Sequence, residues 1–205
     1  MSRFLAAIYD RATAGAEAAC LAAWRHDLLA PLEGRVLEIG AGTGANLAHY
    51  GAGVTELVLA EPDDAMRSKL ARRVEGSTHR IELIGAPAER LPVTRDSFDV
   101  VVSTLVLCSV TEPASSLAEA WRVLRPGGTL VFLEHVASEE PSRLAWQRRF
   151  EPLWKRIAGN CHLTRRTGEA IERAGFALEA VTAESMRKSI PIVRPTVRGV
   201  ARKPR

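Results

Sequence analysis

The stretch VLEIGAGTGAN, residues 36–46, constrains this chain more than any other, because an apolar run ends in an acid and then in Gly40, Gly42 and Gly44. Glycine tolerates positive φ and has no Cβ. Backbone amides in such a turn approach a ligand closely at a strand's carboxyl end, where open α/β sheets bind ligands. Strand-like runs at 36–39, 56–60, 80–84, 98–103 and 129–134 alternate with helix-like stretches, and two further runs at 176–181 and 196–201 follow. That alternation implies a Rossmann-like α/β fold, a seven-stranded, mostly parallel sheet with helices on both faces. Residues 40–45 also satisfy the looser G-x-G-x-x-G/A dinucleotide fingerprint, so the glycines alone do not name the nucleotide.

The intervening segments read as helices with recognisable ends. Alanine-rich residues 5–30 suit one or two amphipathic helices, and Asp63 and Asp64 can cap a helix over 65–74. Thr111, Glu112 and Pro113 open another, stopped sharply by the turn Arg125, Pro126, Gly127, Gly128. A helix over 142–158 carries Trp146, Phe150 and Trp154 on one face, either to fix it to the sheet or to wall a ligand pocket. A last helix over 164–174 ends at Gly175.

With 205 residues, 46% hydrophobic and 25% charged, the chain fits one globular domain. Cys20, Cys108 and Cys161 are odd in number, far apart and without C-x-x-C spacing, so a disulfide framework is not expected and no metal site is expected. A reducing, cytoplasmic setting follows, with no membrane-spanning run and a Met1 to Ala7 start too short for a signal peptide. Seven bases and no acid fall in residues 187–205, leaving 21 bases against 24 acids in the rest, a net charge of −3. These bases form either a solvated strand and tail or a weak peripheral contact with anionic membrane. Nucleic acid is not expected as a partner, since no aromatic residues are interleaved among them.

Taken in order, VLEIGAGTGAN, the acid of LAEPDDAM, AERLP, SFDVVVSTLVLCSV and EAWRVLRPGG resemble the class I S-adenosylmethionine-dependent methyltransferases. Within that class the chain resembles the animal membrane-associated thiol S-methyltransferases through STLVLCSV, RVLRPGG and EHVA, with further likeness across 146–166 and 194–203. It is also similar, in its cofactor motifs, to bacterial phospholipid N-methyltransferases and quinone C-methyltransferases. The resemblance implies one methyltransferase domain: a helical cap at 1–34, a cofactor-binding core at 35–135, and acceptor-side helices and final strands at 136–205. It also implies S-adenosyl-L-methionine as cofactor, S-adenosyl-L-homocysteine as product and a small-molecule acceptor. The animal proteins have a hydrophobic N-terminal anchor where residues 1–34 here read as a soluble helical segment, so membrane residence does not carry over.

Glu38 suits a ligand bearing an ammonium and a sulfonium better than one bearing a pyrophosphate. Gly40, Ala41, Gly42, Gly44 and Asn46 then surround the methionine moiety. Glu61 takes the ribose hydroxyls, with Pro62 beside it. Met66 lies against the adenine or in the core. The backbone of Ala88 and the side chain of Glu89 lie near the adenine ring, although Pro87 occupies a place where many relatives have Asp or Asn. Thr104 and Leu105 line the methionine tail. Methyl transfer is an in-line displacement that needs little acid-base chemistry, but a thiol acceptor must become a thiolate. His135 and His162 are the catalytic candidates, each with a structural alternative. Cys108, Trp146 and Arg165 are the acceptor-side candidates, Cys108 as pocket lining and not as a nucleophile.

Overall fold

The computed structural model describes residues 10–205 other than residue 12. The expectations for residues 1–9, including the absence of a signal peptide and the start of the first helix, lie outside the described residues.

Seven strands form one sheet in the order β3-β2-β1-β4-β5-β7-β6. They are β1 (Gly34–Ile39), β2 (Val54–Ala60), β3 (Ile81–Ile84), β4 (Phe98–Thr104), β5 (Leu124–His135), β6 (Ala177–Ser185) and β7 (Pro195–Arg202). The first five pair in parallel, and β7 lies antiparallel between β5 and β6. Gly199 of β7 is indispensable to that insertion, because a Cβ there would meet the Ala180 carbonyl at 2.1 Å.

Successive residues of a strand face opposite sides, and the central strands are buried on both. On one side Val36, Leu57, Leu59, Val100, Val102 and Val131 pack against α1 (Ala22–Leu29), the π-turn Glu17–Leu21 that leads into it, and Leu70 of α2 (Asp64–Val74). On the other, Leu37, Ile39, Val58, Val101, Leu130 and Phe132 pack against α3 (Pro113–Val123) and α5 (Thr167–Arg173). Asp63 caps α2 as expected, accepting from the amides of Ala65 and Met66. Gly175 (φ 99°) ends α5 in the left-handed conformation.

One boundary differs from the expectation. β5 starts at Leu124, because Leu124 already pairs with Phe98, and the Pro126-Gly127-Gly128 segment is a bulge within the strand, not a terminator. α4 (Pro141–Ile157) runs through Pro152, and buried Gln147 clamps it to the sheet edge. The Gln147 amide donates to the carbonyls of Val136 and Ile192 and accepts from the Ser138 amide, at 3.0, 3.0 and 2.8 Å.

Candidate active site

At the carboxyl end of β1 the chain turns through Gly40, Gly42 and Gly44 at φ of 59°, 58° and 89°. The three glycines serve different ends. A Cβ on Gly40 would collide with Val106 and one on Gly44 with Leu47 and Leu70, whereas one on Gly42 would meet only the Gly40 carbonyl, at 3.9 Å. Gly40 and Gly44 therefore close the fold, and Gly42 faces open space where a ligand can approach the backbone.

Glu38 ends β1 almost fully buried, accepting from Asn46 Nδ2 at 2.9 Å and from the Tyr50 hydroxyl at 2.7 Å. Burial pushes its carboxyl from 4.5 up to about 7, against the pull of these two donors. Asn46 also donates to Thr104 Oγ1, and its carbonyl accepts from Arg25 at 2.6 Å. Arg25, a buried residue of α1, donates to Thr104 as well and pairs with Glu17 at 3.0 Å. Sequence reading missed Arg25, since nothing in an alanine-rich helix marks which arginine turns inward.

Glu61 follows β2 and lies beside the glycine turn. Its carboxylate accepts from the Gly42 amide and the Asp63 amide, each at 2.8 Å, and burial raises its pKa. Met66 is buried in α2, Ala88 is buried in the loop after β3, and Pro62 is exposed. Glu89 is otherwise engaged: it accepts from the amide of Thr111 at 2.9 Å and bridges its loop to the start of α3. Leu105 sits at φ 60°, a conformation that costs a branched side chain energy and that clusters at functional sites. The loops after β1, β2, β3 and β4 that carry these residues all leave the same edge of the parallel sheet.

The loop that follows β4 is gathered around a second buried acid. Glu134, fully buried at the end of β5, accepts from Ser103 Oγ at 2.7 Å and from the amides of Val106, Leu107 and Cys108 at 3.0–3.1 Å. Burial raises its pKa, and its four donors oppose that. The signal for it was present in the sequence, since VFLE ends an apolar run in an acid just as VLE does at Glu38.

Beside this loop, His135 Nδ1 lies 3.8 Å from Cys108 Sγ and 3.6 Å from Cys161 Sγ. The ring's other nitrogen, Nε2, is buried without a hydrogen-bond partner. Hydrogen bonding to Cys161 and burial push the Cys108 thiol well up, and the same bond pulls the Cys161 thiol down. Trp154 packs against this group.

The structure places three of the candidates as follows. Trp146 is 55% exposed and stacks on Phe150 at 5.4 Å, so the aromatic stripe does not share one environment, and Trp154 is the ring beside the cysteines. Arg165 braces the loop by donating to the carbonyls of Leu107 and Val110 at 2.5 and 2.8 Å. His162 faces Glu151 at 3.6 Å and its amide donates to the Cys108 carbonyl, which makes it a partner of the loop fold. A groove between α3 and α5 is lined at one end by Leu107 and Arg165 but touches neither the glycine turn nor the cysteines.

A glycine turn at the carboxyl end of β1, flanked by carboxylates ending β1 and following β2, defines a Rossmann-like nucleotide-cofactor site. The family model described as "Methyltransferase domain" matches residues 37–132. Thiol S-methyltransferase TMT1A of Homo sapiens is 37% identical over 170 residues, covering 81% of this chain and 69% of that protein. Thiol S-methyltransferase TMT1B of Rattus norvegicus is 43% identical over 146 residues, covering 69% of this chain; that match spans only 59% of the relative's length. An S-adenosylmethionine-dependent methyltransferase of Mesorhizobium loti shares the fold at a TM-score of 0.65 and 22% identity, over 91% of this chain and 97% of that one. The chain belongs to the S-adenosylmethionine-dependent methyltransferase family. Among the described residues no helix is long and apolar enough to cross a membrane.

Proposed function

We propose that this chain moves a methyl group from S-adenosyl-L-methionine to the sulfur of a small lipophilic thiol. The observation that carries the cofactor half is the placement of Glu38 and Glu61 on either side of the glycine turn, with Gly42 open between them. Glu38, Asn46, Thr104 and Arg25 would hold the methionine end, Glu61 the ribose hydroxyls, and Met66 and the Ala88 backbone the adenine. The cofactor supplies an electrophilic methyl on a sulfonium. The residues of this chain align the acceptor with it, within about 3 Å, and exclude water. The thiol class rests on likeness to the two thiol S-methyltransferases.

The test is S-adenosyl-L-homocysteine production with an aryl thiol and, in parallel, with phosphatidylethanolamine vesicles, each against a Glu61→Ala control. Turnover with the thiol, lost in the control, is the expected result. Turnover with vesicles alone replaces the thiol by a phospholipid nitrogen, and turnover with neither but with a quinone ring gives the C-methyltransferase alternative.

One surface favours a lipophilic setting for that acceptor. The bases of β7 and Lys203 just after it are engaged within the fold: Lys203 donates to Asp96 and to the carbonyls of Trp121 and Leu124, Arg202 pairs with Glu179, and Arg198 pairs with Glu184. α4 instead exposes Trp146, Phe150, Leu153 and Ile157 at helical spacing, alongside exposed Arg148, Arg149 and Arg156. An apolar stripe flanked by arginines fits the headgroup region of an anionic bilayer better than the C-terminal bases do. Salt-sensitive pelleting with anionic liposomes that a Trp146→Ser, Phe150→Ser pair abolishes is the expected outcome; binding unchanged by that pair removes α4 from the contact.

A further inference from the structure

We infer that Cys108, Cys161 and His135 form a three-ligand zinc site whose fourth position receives the acceptor's sulfur; the second half of this statement rests on the thiol reading above. The three donor atoms lie within 4.8 Å of one another. Zinc–sulfur bonds of about 2.3 Å and a zinc–nitrogen bond of about 2.05 Å at tetrahedral angles put the nitrogen about 3.6 Å from each sulfur. The observed separations of His135 Nδ1 are 3.8 Å to Cys108 and 3.6 Å to Cys161. Both separations lie within S–H···N hydrogen-bonding range, but one nitrogen lone pair accepts from a single thiol, so two sulfurs converging on it is what marks the site. Here one nitrogen faces two sulfurs, and the other is buried with no partner.

One contact around the donors also suits a metal. Glu134 holds the Cys108 amide and so fixes that ligand's backbone, the kind of outer contact that orients metal ligands. Two cysteines and one histidine with one position open is the donor set of a catalytic zinc, whereas a structural zinc is closed by a fourth protein ligand. The loop that bears Cys108 continues from Thr104 and Leu105, so these ligands lie at the same edge of the sheet as the proposed methionine end of the cofactor. Zinc with two thiolates is neutral, and adding the acceptor thiolate leaves one negative charge; the Arg165 guanidinium donates to the carbonyls of Leu107 and Val110, on either side of Cys108.

The chemistry balances without an oxidant. Binding zinc releases the two cysteine protons to solvent. An entering thiol takes the fourth position and loses its proton to water, because a zinc-bound thiol is deprotonated at neutral pH. Its sulfur lone pair then forms the new C–S bond while the methyl–sulfonium bond breaks, and that electron pair stays on S-adenosyl-L-homocysteine. The thioether product is neutral, a weaker ligand than the thiolate, and leaves.

The experiment uses zinc and cobalt(II) as probes on the full chain, reduced and freed of adventitious metal. One equivalent of zinc retained through gel filtration is expected. So is a cobalt form with thiolate-to-metal charge-transfer absorption, and both should fall at least tenfold in Cys161→Ser and Cys108→Ser. S-adenosyl-L-homocysteine affinity within about threefold of wild type shows that those variants are folded. Addition of an aryl thiol shifts the cobalt spectrum before any cofactor is present. Failure to retain either metal, retention equal in the cysteine variants, or recovery of a Cys108–Cys161 disulfide in protein alkylated at lysis overturns the site. A cobalt spectrum indifferent to thiol overturns the sulfur-holding role. Zinc bound, thiol coordinated and no methylation of any thiol instead overturns the proposed reaction while the metal site stands.

Discussion

The two ends of the ligand-facing edge, the proposed cofactor end and the proposed acceptor end, are built in opposite ways. The cofactor end is made of contiguous backbone: a strand, a glycine turn and an acid after the next strand, with a Glu61-to-Gly42 hydrogen bond tying them 19 residues apart. The acceptor end is made of side chains brought from afar, with His135 touching Cys108 across 27 residues and Cys161 across 26. Each end is organised by one buried carboxylate at a strand terminus, Glu38 or Glu134, which gathers donors from the loops around it. The difference shows why cofactor motifs are portable while acceptor sites are not. Backbone turns depend on local residue types, but a side-chain cluster depends on the packing of every intervening element.

The strongest test of this division is Glu61→Ala. Losing two charge-assisted hydrogen bonds to a ribose removes about 4 kcal/mol, on the order of a thousandfold in cofactor affinity by calorimetry. Metal and acceptor binding at the other end should be unchanged. Next is Glu134→Gln, which replaces an all-acceptor carboxylate facing four donors with an amide that brings donors of its own. Unfolding in urea should show a loss of about 3 kcal/mol, with cofactor affinity within threefold. Equal damage to both ends from either variant would erase the distinction.

A smaller effect is set by pH. The Glu38 carboxyl titrates near 4.5 when unfolded and about 7 when folded, so the folded chain holds the extra proton between those values. The stability this contributes is present below pH 4.5 and is lost as pH rises to about 7. A cofactor ammonium draws out the ionised form, so binding below pH 7 releases a proton and tightens up to about tenfold per pH unit. Calorimetry in buffers of different ionisation enthalpy measures that release, and a flat affinity from about pH 5.5 to 7.5 would separate Glu38 from the ammonium. The smallest effect is Gly42→Ala: its φ of 58° costs about 1 kcal/mol of stability by thermal unfolding, with no clash to add to it.

The seven strands, their mostly parallel arrangement and the cofactor turn were legible because each strand is a separate apolar run and the glycines have local reasons. Asp63, Gly175 and the acids of β1 and β2 announce themselves by position alone. The acceptor end was not legible for a different reason. Periodicity puts Trp146, Phe150 and Trp154 on one face but cannot say that the sheet edge covers only the last of them. Cysteine spacing rules search for ligands a few residues apart, and Cys108 and Cys161 meet only because Cys161 follows α4 back to the loop after β4. Arg25 reached the methionine pocket through a helix whose inward face is set by packing against β1 and β4, which no local pattern records.

The position of β7 has a consequence for how the molecule is made. β6 leaves the ribosome first, yet its place in the sheet is beyond β7, so it has no strand to join until β7 has been synthesised and slid in beside β5. The β3-β2-β1-β4-β5 half already has its pairing partners by then. A nascent chain therefore presents a finished cofactor platform with an unpaired β5 edge, and S-adenosyl-L-methionine can begin to stabilise the platform before the other end closes.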